Sequence, residues 1–160
     1  MKKVVIIMGS KSDLEWANKI SKTLNDFSIE NIKRIASAHK VPLKCYEIIK
    51  KYEKENVVFI TIAGMSNALS GFSDAQTYCP VIACPPYSDK FGGLDLLSSV
   101  RMPSGVAPLT VLSPENAALA AAKIIGLSNP AVQEKIRDYQ NYKKEEIEQA
   151  DDKLQDENNF

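Results

Sequence analysis

Short runs made almost entirely of apolar residues alternate with longer amphipathic stretches over the first 130 residues. The clearest runs are residues 57–62 (VVFITI) and residues 4–8 (VVIIM). A strand that is apolar on both faces must be covered on both faces, as in a parallel sheet flanked by helices. Strands alternating with helices are the pattern of βαβ units. The sequence therefore predicts an α/β fold of three layers, with helices on both faces of a parallel sheet.

The pattern predicts about five strands and at least five helices. The predicted strands are residues 4–8, 29–36, 57–62, 80–84 and 106–112, and the predicted helices are residues 13–24, 41–55, 66–76, 92–101 and 114–125. Pro108 predicts that the last strand lies at an edge of the sheet, because proline cannot donate to a central ladder. Ser113 is placed to cap the helix that follows it, and Ser12 to cap the first helix, since Glu15 follows three positions later. Such a sheet is doubly wound and flavodoxin-like, and binds ligands at the carboxyl ends of its strands.

Length and composition exclude several classes of protein. A chain of 160 residues fits one domain with its own core. Its 20 basic and 20 acidic residues do not favour nucleic acid as a partner. The apolar runs are too short for a membrane span, and the start of the chain lacks the features of a signal peptide. Its three cysteines form no CxxC pair, so zinc and disulfide frameworks are not expected. We expect a cytoplasmic protein with no membrane partner.

Charge is unevenly distributed along the chain. Residues 1–130 contain 15 Lys and Arg against 11 Asp and Glu, a balance of +4, and residues 131–160 contain 5 against 9, a balance of −4. The acidic segment also carries an apolar stripe at steps of mostly three or four positions: Val132, Ile136, Tyr139, Tyr142, Ile147, Ala150 and Leu154. A narrow stripe of this kind favours a helix that packs on a partner. A disordered acidic tail is the alternative.

Three segments that follow predicted strands carry polar residues where this fold binds ligands. They are residues 9–13 (GSKSD), 37–40 (SAHK) and 64–71 (GMSNALSG). Backbone N–H groups at the start of a helix suit a phosphate, although a plain turn with a helix cap is the alternative for each segment. Asp13 would repel a phosphate at short range, so its carboxylate is better suited to the hydroxyls of a ligand such as a ribose.

His39 is the only histidine of the chain. A single histidine is more often structural, but its place directly after a buried strand favours a role in function. Histidine is also the side-chain type that ordinarily exchanges protons near neutral pH. The neighbouring Lys40 is either a solvated lysine at the start of a helix or a phosphate ligand. Residues 85–101 are either a mobile loop over the site or a plain connection.

These segments together resemble the phosphoribosylaminoimidazole carboxylase family of purine biosynthesis, over residues 4 to about 154. The residues that carry the resemblance are 8–13 (MGSKSD), 37–40 (SAHK), 63–69 (AGMSNAL) and 101–105 (RMPSG). They are more similar to the branch that adds CO2 directly to aminoimidazole ribonucleotide than to the mutase branch, which typically has Ser-Ala-His-Arg and Ala-Gly-Gly-Ala-Ala-His. One departure is Met65, which stands where the CO2-using branch often has arginine.

The resemblance implies that His39 is the catalytic residue. It further implies six substrate-binding residues: Ser10, Asp13, Ser37, Lys40, Gly64 and Ser66. The implied substrates are aminoimidazole ribonucleotide and CO2, with no cofactor and no metal. Members of the family are homo-octamers in which the C-terminal helix reaches a neighbouring subunit and the active sites lie at subunit junctions. On this basis residues 1–130 are the nucleotide-binding catalytic part of a single domain, and residues 131–160 are its oligomerisation helix and tail.

Two alternatives stay open at the level of sequence. A mutase acting on N5-carboxyaminoimidazole ribonucleotide would use the same histidine to move the proton. A non-catalytic nucleotide-binding module is also compatible with the fold, because one scaffold serves many functions. The position of His39 favours an enzyme over such a module, because a binding module has no need of a titrating group there.

Overall fold

The sheet contains five parallel strands in the computed structural model, which describes residues 3–158. The strands are β1 (Val4–Met8), β2 (Asn31–Ile35), β3 (Val58–Ile62), β4 (Val81–Ala83) and β5 (Leu109–Thr110), in the order β2-β1-β3-β4-β5. The helices are α1 (Leu14–Asp26), α2 (Pro42–Tyr52), α3 (Ala68–Ala75), α4 (Leu97–Val100), α5 (Pro114–Gly126) and α6 (Pro130–Asn158). Short 3-10 helices cover Lys11–Asp13, Glu53–Glu55 and Lys90–Leu96.

The side chains of β1 fill two separate cores. Val4, Ile6 and Met8 pack with residues of α1, α5 and α6, whereas Val5 and Ile7 pack with residues of α2 and α3. All five side chains are at most 2% exposed. Successive residues of a strand point to opposite faces, so a strand covered on both faces is apolar throughout. The predicted three-layer, flavodoxin-like α/β fold is confirmed.

The ends of three strands lie level with one another at one edge of the sheet. Met8 pairs with Ile35 on one side and with Ile62 on the other. From β1 the chain passes first to β2 on one side and then to β3 on the opposite side, which makes this edge a topological switch point. The polar segments that follow β1, β2 and β3 therefore leave the sheet side by side.

The strand predicted over residues 106–112 is reduced to Leu109–Thr110. It pairs only with β4, so it lies at an edge of the sheet as Pro108 predicted. The helix predicted over residues 92–101 is wrong in its first half. Phe91, Gly92 and Gly93 have φ values of 52°, 61° and 77°, which break the helix, and a regular helix begins only with α4.

The cap predicted for the first helix is also misplaced. Ser10, not Ser12, is the capping residue, and it caps the 3-10 turn that precedes α1. Asp13 occupies the cap position of α1 itself without a side-chain capping bond. The 3-10 turn moves the start of the regular helix by one residue, from position 13 to Leu14. The prediction for Ser113 is confirmed, because its Oγ accepts the N–H of Asn116 at 3.4 Å.

The apolar stripe of α6 is divided between two environments. Val132 and Ile136 are 5% and 6% exposed and belong to the core shared with α5. The ring of Tyr139 meets Phe27 edge-on, with centroids 5.4 Å apart. Three later members of the stripe are more than half exposed: Tyr142, Ile147 and Leu154. The prediction that the whole stripe packs on a partner is therefore wrong for its first three residues, which pack on their own chain.

The three cysteines are buried and form no disulfide. Cys84 lies in the core beneath α1 and α5, and Cys45 and Cys79 lie in the opposite core. Among residues 3–158, His, Cys, Asp and Glu side chains do not converge in a group of three that would hold a metal ion. Over the same residues, no helix combines the length and the apolar character that crossing a membrane requires.

Candidate active site

The segment after β1, residues 9–13, is organised by reciprocal hydrogen bonds between Ser10 and Asp13. The Ser10 N–H donates to Asp13 Oδ2 at 2.9 Å, and the Ser12 N–H donates to Ser10 Oγ at 3.3 Å. This is a capping box on a single 3-10 turn. Burial raises the pKa of Asp13, and the hydrogen bond from Ser10 opposes that shift. The carboxylate is thus held in a defined orientation at the entrance to α1.

Ser37 organises the turn after β2 that carries His39. The Lys40 N–H donates to Ser37 Oγ at 3.3 Å, and the Val41 N–H donates to the Ser37 carbonyl at 2.9 Å. Pro42 then opens α2, where its fixed φ suits the first helical turn. Both His39 and Lys40 are exposed at the tip of this turn. The fold therefore presents the imidazole and the ammonium group together, outside the sheet edge.

The segment after β3, here called the β3 loop (residues 64–67), contains a left-handed residue. Met65 has a φ of 58° and is 71% exposed. For a residue with a Cβ this conformation costs about 1–2 kcal/mol. Ser98 Oγ donates to the Met65 carbonyl at 3.1 Å and accepts the Asn67 N–H at 2.9 Å. The β3 loop is therefore held from one side by α4.

Backbone hydrogen bonds join the three segments at their bases. The Gly9 N–H donates to the Ile62 carbonyl at 2.8 Å, and the Ala36 N–H donates to the Met8 carbonyl at 2.9 Å. The segments that these bonds place side by side carry all seven residues predicted for the site: Ser10, Asp13, Ser37, His39, Lys40, Gly64 and Ser66.

Two neighbouring cavities lie along these segments. The larger, about 310 Å³, is lined mainly by residues 85–99, together with the β3 loop residues Gly64 and Met65. The smaller, about 270 Å³, is lined by Asp13 and other residues at the start of α1, and both cavities share Pro86 and Tyr87. Residues 85–101, for which the sequence allows either a mobile loop over the site or a plain connection, therefore form a wall of the candidate site.

The predicted site residues divide between these cavities and the open surface. Gly64 lines the larger cavity and Asp13 the smaller one. The other five line neither cavity: Ser10, Ser37, His39, Lys40 and Ser66. The single chain thus brings the segments together but leaves most of their polar side chains facing outward.

An aromatic pair that the sequence analysis did not identify lies in the wall of the smaller cavity. Trp16 and Tyr87 meet edge-on with ring centroids 5.2 Å apart, and Trp16 Nε1 donates to Cys84 Sγ at 3.3 Å. Burial raises the pKa of Cys84 to about 11, so the thiol stays protonated at neutral pH. Trp16 follows Asp13 by three positions, a spacing that places both on one face of a helix. Tyr87 has no comparable signal in the sequence.

Comparisons with known proteins agree with this arrangement. A family model described as AIR carboxylase matches residues 3–146. The chain belongs to the AIR carboxylase family. It is 63% identical over 152 residues to a phosphoribosylaminoimidazole carboxylase of Archaeoglobus fulgidus, covering 95% of this chain and 84% of that protein. It is 46% identical over 153 residues to a protein of the same name from Treponema denticola, covering 94% of this chain and 96% of that protein.

A longer relative and a crystal structure extend the comparison. The bifunctional phosphoribosylaminoimidazole carboxylase/phosphoribosylaminoimidazole succinocarboxamide synthetase of Homo sapiens is 44% identical over 137 residues, which are 84% of this chain and 32% of that protein. The crystal structure of Treponema denticola PurE superposes with a TM-score of 0.94 at 45% identity, covering 96% of this chain and 99% of that one. The chain is therefore an enzyme of the phosphoribosylaminoimidazole carboxylase family of purine biosynthesis, and a non-catalytic module is not supported.

The raised pKa of Asp13 predicts how stability depends on pH. Because the folded protein binds this proton more tightly than the unfolded chain, ionisation of Asp13 lowers stability as pH rises through its titration. Asp13→Asn removes that titration and keeps an oxygen that can accept the Ser10 N–H. We expect the variant to gain stability relative to the parent protein as pH rises above about 4, the ordinary pKa of an aspartate.

Urea unfolding of both proteins at a series of pH values measures this difference, in which the titration of all other groups cancels. A relative stability of Asp13→Asn that falls as pH rises would show instead that the fold stabilises the ionised carboxylate.

Proposed function

We propose that this enzyme adds CO2 to carbon C4 of 5-aminoimidazole ribonucleotide, giving 4-carboxy-5-aminoimidazole ribonucleotide, with His39 as the proton-transfer group. The observation that carries the proposal is the meeting of three polar segments at the topological switch point, one of which presents the only histidine of the chain. The names of the relatives, which are carboxylases in two organisms, support the same reaction class.

The chemistry requires one proton-transfer group and accurate positioning. The aminoimidazole ring is an enamine, so its C4 is already nucleophilic. Attack of C4 on the carbon of CO2 forms the new C–C bond and leaves C4 tetrahedral, still carrying its hydrogen. Neutral His39 then removes that proton, and the electron pair of the C–H bond restores the aromatic ring. In the reverse direction protonated His39 delivers the proton to C4 before CO2 leaves.

The outward position of His39 fits this role if a neighbouring subunit completes the site. The imidazole is exposed at the tip of its turn and lines neither cavity of the single chain. A water-excluded pocket strengthens the interactions that position substrate and reacting groups. Docking of a second copy over the turn would supply such a pocket, as expected for active sites at subunit junctions.

The binding roles follow from the chemistry of each segment. Asp13 has one carboxylate oxygen engaged by the Ser10 N–H, which leaves the other for the ribose hydroxyls. We assign the phosphate to Ser37 and Lys40, because they place a hydroxyl and a cation on the same exposed turn. The remaining nucleotide contacts are assigned to Ser10, Gly64 and Ser66.

The β3 loop favours the carboxylase over the mutase, which is the second candidate. The mutase branch typically has Ala-Gly-Gly-Ala-Ala-His, whereas this chain has Gly64, Met65, Ser66 and Asn67 with a hydrogen-bonded serine of α4 behind them. Met65 cannot supply the positive charge of the arginine often found at its position. In this chain Lys40 would therefore provide the cation for an anionic substrate.

Replacing His39 tests the proposal directly. We expect His39→Asn to bind 5-aminoimidazole ribonucleotide with a Kd within about threefold of the parent value, because no assigned nucleotide contact is removed. Carboxylation should fall by at least about 100-fold, the usual contribution of a positioned acid or base. Isothermal titration measures the first quantity and product formation under saturating CO2 the second.

A matched control is Lys44→Ala, which removes an exposed side chain further along α2 and should keep the parent turnover. Carboxylation by His39→Asn at a near-parent rate would reject His39 as the proton-transfer group.

We further propose that the chain assembles as a homo-octamer and that the outer part of α6, residues 141–158, packs on a neighbouring subunit. Tyr142, Ile147 and Leu154 are exposed by 56%, 72% and 57%, although they continue the stripe that the inner part of α6 buries. Exposed apolar residues in a row favour contact with another protein surface. The opposite charge balances of residues 1–130 and 131–160 favour contact between copies of the same chain.

Substitution of the outer stripe tests this assembly in the full-length chain. We expect the triple variant Tyr142→Ser, Ile147→Ser and Leu154→Ser to give particles smaller than an octamer, because the contacts that it removes are apolar. The control replaces three exposed polar residues of the same helix: Lys144→Ser, Glu148→Ser and Asp152→Ser. Light scattering measures the mass in solution, and an unchanged octamer in the first variant would mean that the outer stripe does not hold the assembly.

A further inference from the structure

A chain of buried hydrogen bonds runs from β3 to β5 behind the β3 loop. The hydroxyls of Thr61 and Ser70 are 3.0 Å apart, and the Ser70 N–H donates to Asn67 Oδ1 at 3.2 Å. Asn67 Nδ2 donates to Ser99 Oγ at 2.9 Å, and Thr110 Oγ1 donates to the Ser99 carbonyl at 3.0 Å. The side chain of Asn67 is thus held on both sides, by α3 and by α4.

The burial of this network indicates that it does more than fill space in the core. Thr61, Asn67, Ser70 and Ser99 are at most 3% exposed. Buried polar groups cost stability unless each finds a partner, and apolar side chains would fill the same space without that requirement. A buried polar network does, however, specify one arrangement of the backbone that carries it. The backbone that this network fixes is that of the β3 loop, which ends at Asn67.

Ser98, which lies in α4 beside Ser99, also contacts the β3 loop. Its hydroxyl accepts the Asn67 N–H at 2.9 Å and lies 3.1 Å from the Met65 carbonyl and 2.7 Å from the Asp95 carbonyl. A hydroxyl has a single proton, so these two carbonyls share it. The two bonds to the β3 loop thus lie on either side of Ser66, and the first is made by Met65, whose φ of 58° is disfavoured roughly tenfold for a residue with a Cβ. Ser98 therefore holds the β3 loop at the strained residue and two positions beyond it.

We propose that Ser98 and Ser99 are positioning residues that hold the β3 loop in the conformation that binds the nucleotide. This rests on the proposed function, in which Gly64 and Ser66 contact the substrate. With both serines in place, nearly every molecule presents the binding-competent loop. Without the Ser98 hydroxyl, Met65 relaxes to an ordinary negative φ and only about a tenth of the molecules remain competent.

Such a role predicts a change in KM that is separate from kcat. The apparent affinity of a ligand falls by the fraction of protein that can bind it. We expect Ser98→Ala to raise the KM for 5-aminoimidazole ribonucleotide about tenfold and to change kcat by less than about twofold, since Ser98 does not touch the reacting atoms. Adding Met65→Gly to Ser98→Ala should return KM to within about twofold of the parent value, because glycine adopts a positive φ readily.

Two further variants make the comparison specific. Ser98→Thr retains the hydroxyl and should retain the parent KM. Ser21→Ala removes a hydroxyl that lies 2.7 Å from Asn31 Oδ1, at the opposite end of the sheet, and should also leave KM at the parent value. A loss of kcat with KM unchanged in Ser98→Ala, or no rescue by Met65→Gly, would overturn the positioning role.

Amide hydrogen exchange of the full-length protein provides a readout that does not depend on the substrate. The backbone N–H of Asn67 should exchange faster in Ser98→Ala and in Ser99→Ala than in the parent protein. Ser98→Ala removes the acceptor of that N–H, and Ser99→Ala removes the acceptor of the Asn67 side chain, which helps to hold the same residue. Unchanged exchange in both variants would overturn the proposal. Faster exchange in a protein whose parent form binds no 5-aminoimidazole ribonucleotide would instead overturn the proposed function.

Discussion

Burial of β1 on both faces determines how the chain is wound around the sheet. Its alternate side chains supply the centre of two cores, and those cores hold helices on opposite faces of the sheet. Since β1 lies between β2 and β3, the chain must pass to one side of it and then to the other. The switch point that results is where the three polar segments meet. The position of the candidate site thus follows from how β1 is covered on both faces.

The three segments at the switch point differ in what holds their backbone. The segments after β1 and β2 satisfy backbone groups with side chains of their own, those of Ser10, Asp13 and Ser37, and His39 and Lys40 stay exposed. The β3 loop differs, because its partners come from α4, more than 30 residues further along the chain. The left-handed turn of the β3 loop therefore depends on tertiary packing. The turns after β1 and β2 depend on hydrogen bonds within their own segments.

The sequence predicts well those features that depend on local patterns. The apolar runs located every strand, and Pro108 located the edge strand, because both signals act within a few residues. Sequence-based prediction fails where the local conformation depends on residues that are distant in the chain. The bonds from Asn67 to Ser98 and Ser99 span 31 and 32 positions and have no periodic signal. The apolar stripe of α6 is visible in the sequence. Which of its residues are buried depends on how far along α6 the helix stays in contact with the core shared with α5.

We propose that CO2 itself reacts with C4 of the nucleotide, at the edge formed by β1, β2 and β3. The most direct test gives the purified protein two substrates separately. One is 5-aminoimidazole ribonucleotide with dissolved CO2, and the other is N5-carboxyaminoimidazole ribonucleotide. We expect the first mixture to form 4-carboxy-5-aminoimidazole ribonucleotide at a rate that rises with the concentration of CO2. Turnover of the N5-carboxylated nucleotide alone, with no product from the first mixture, would contradict it.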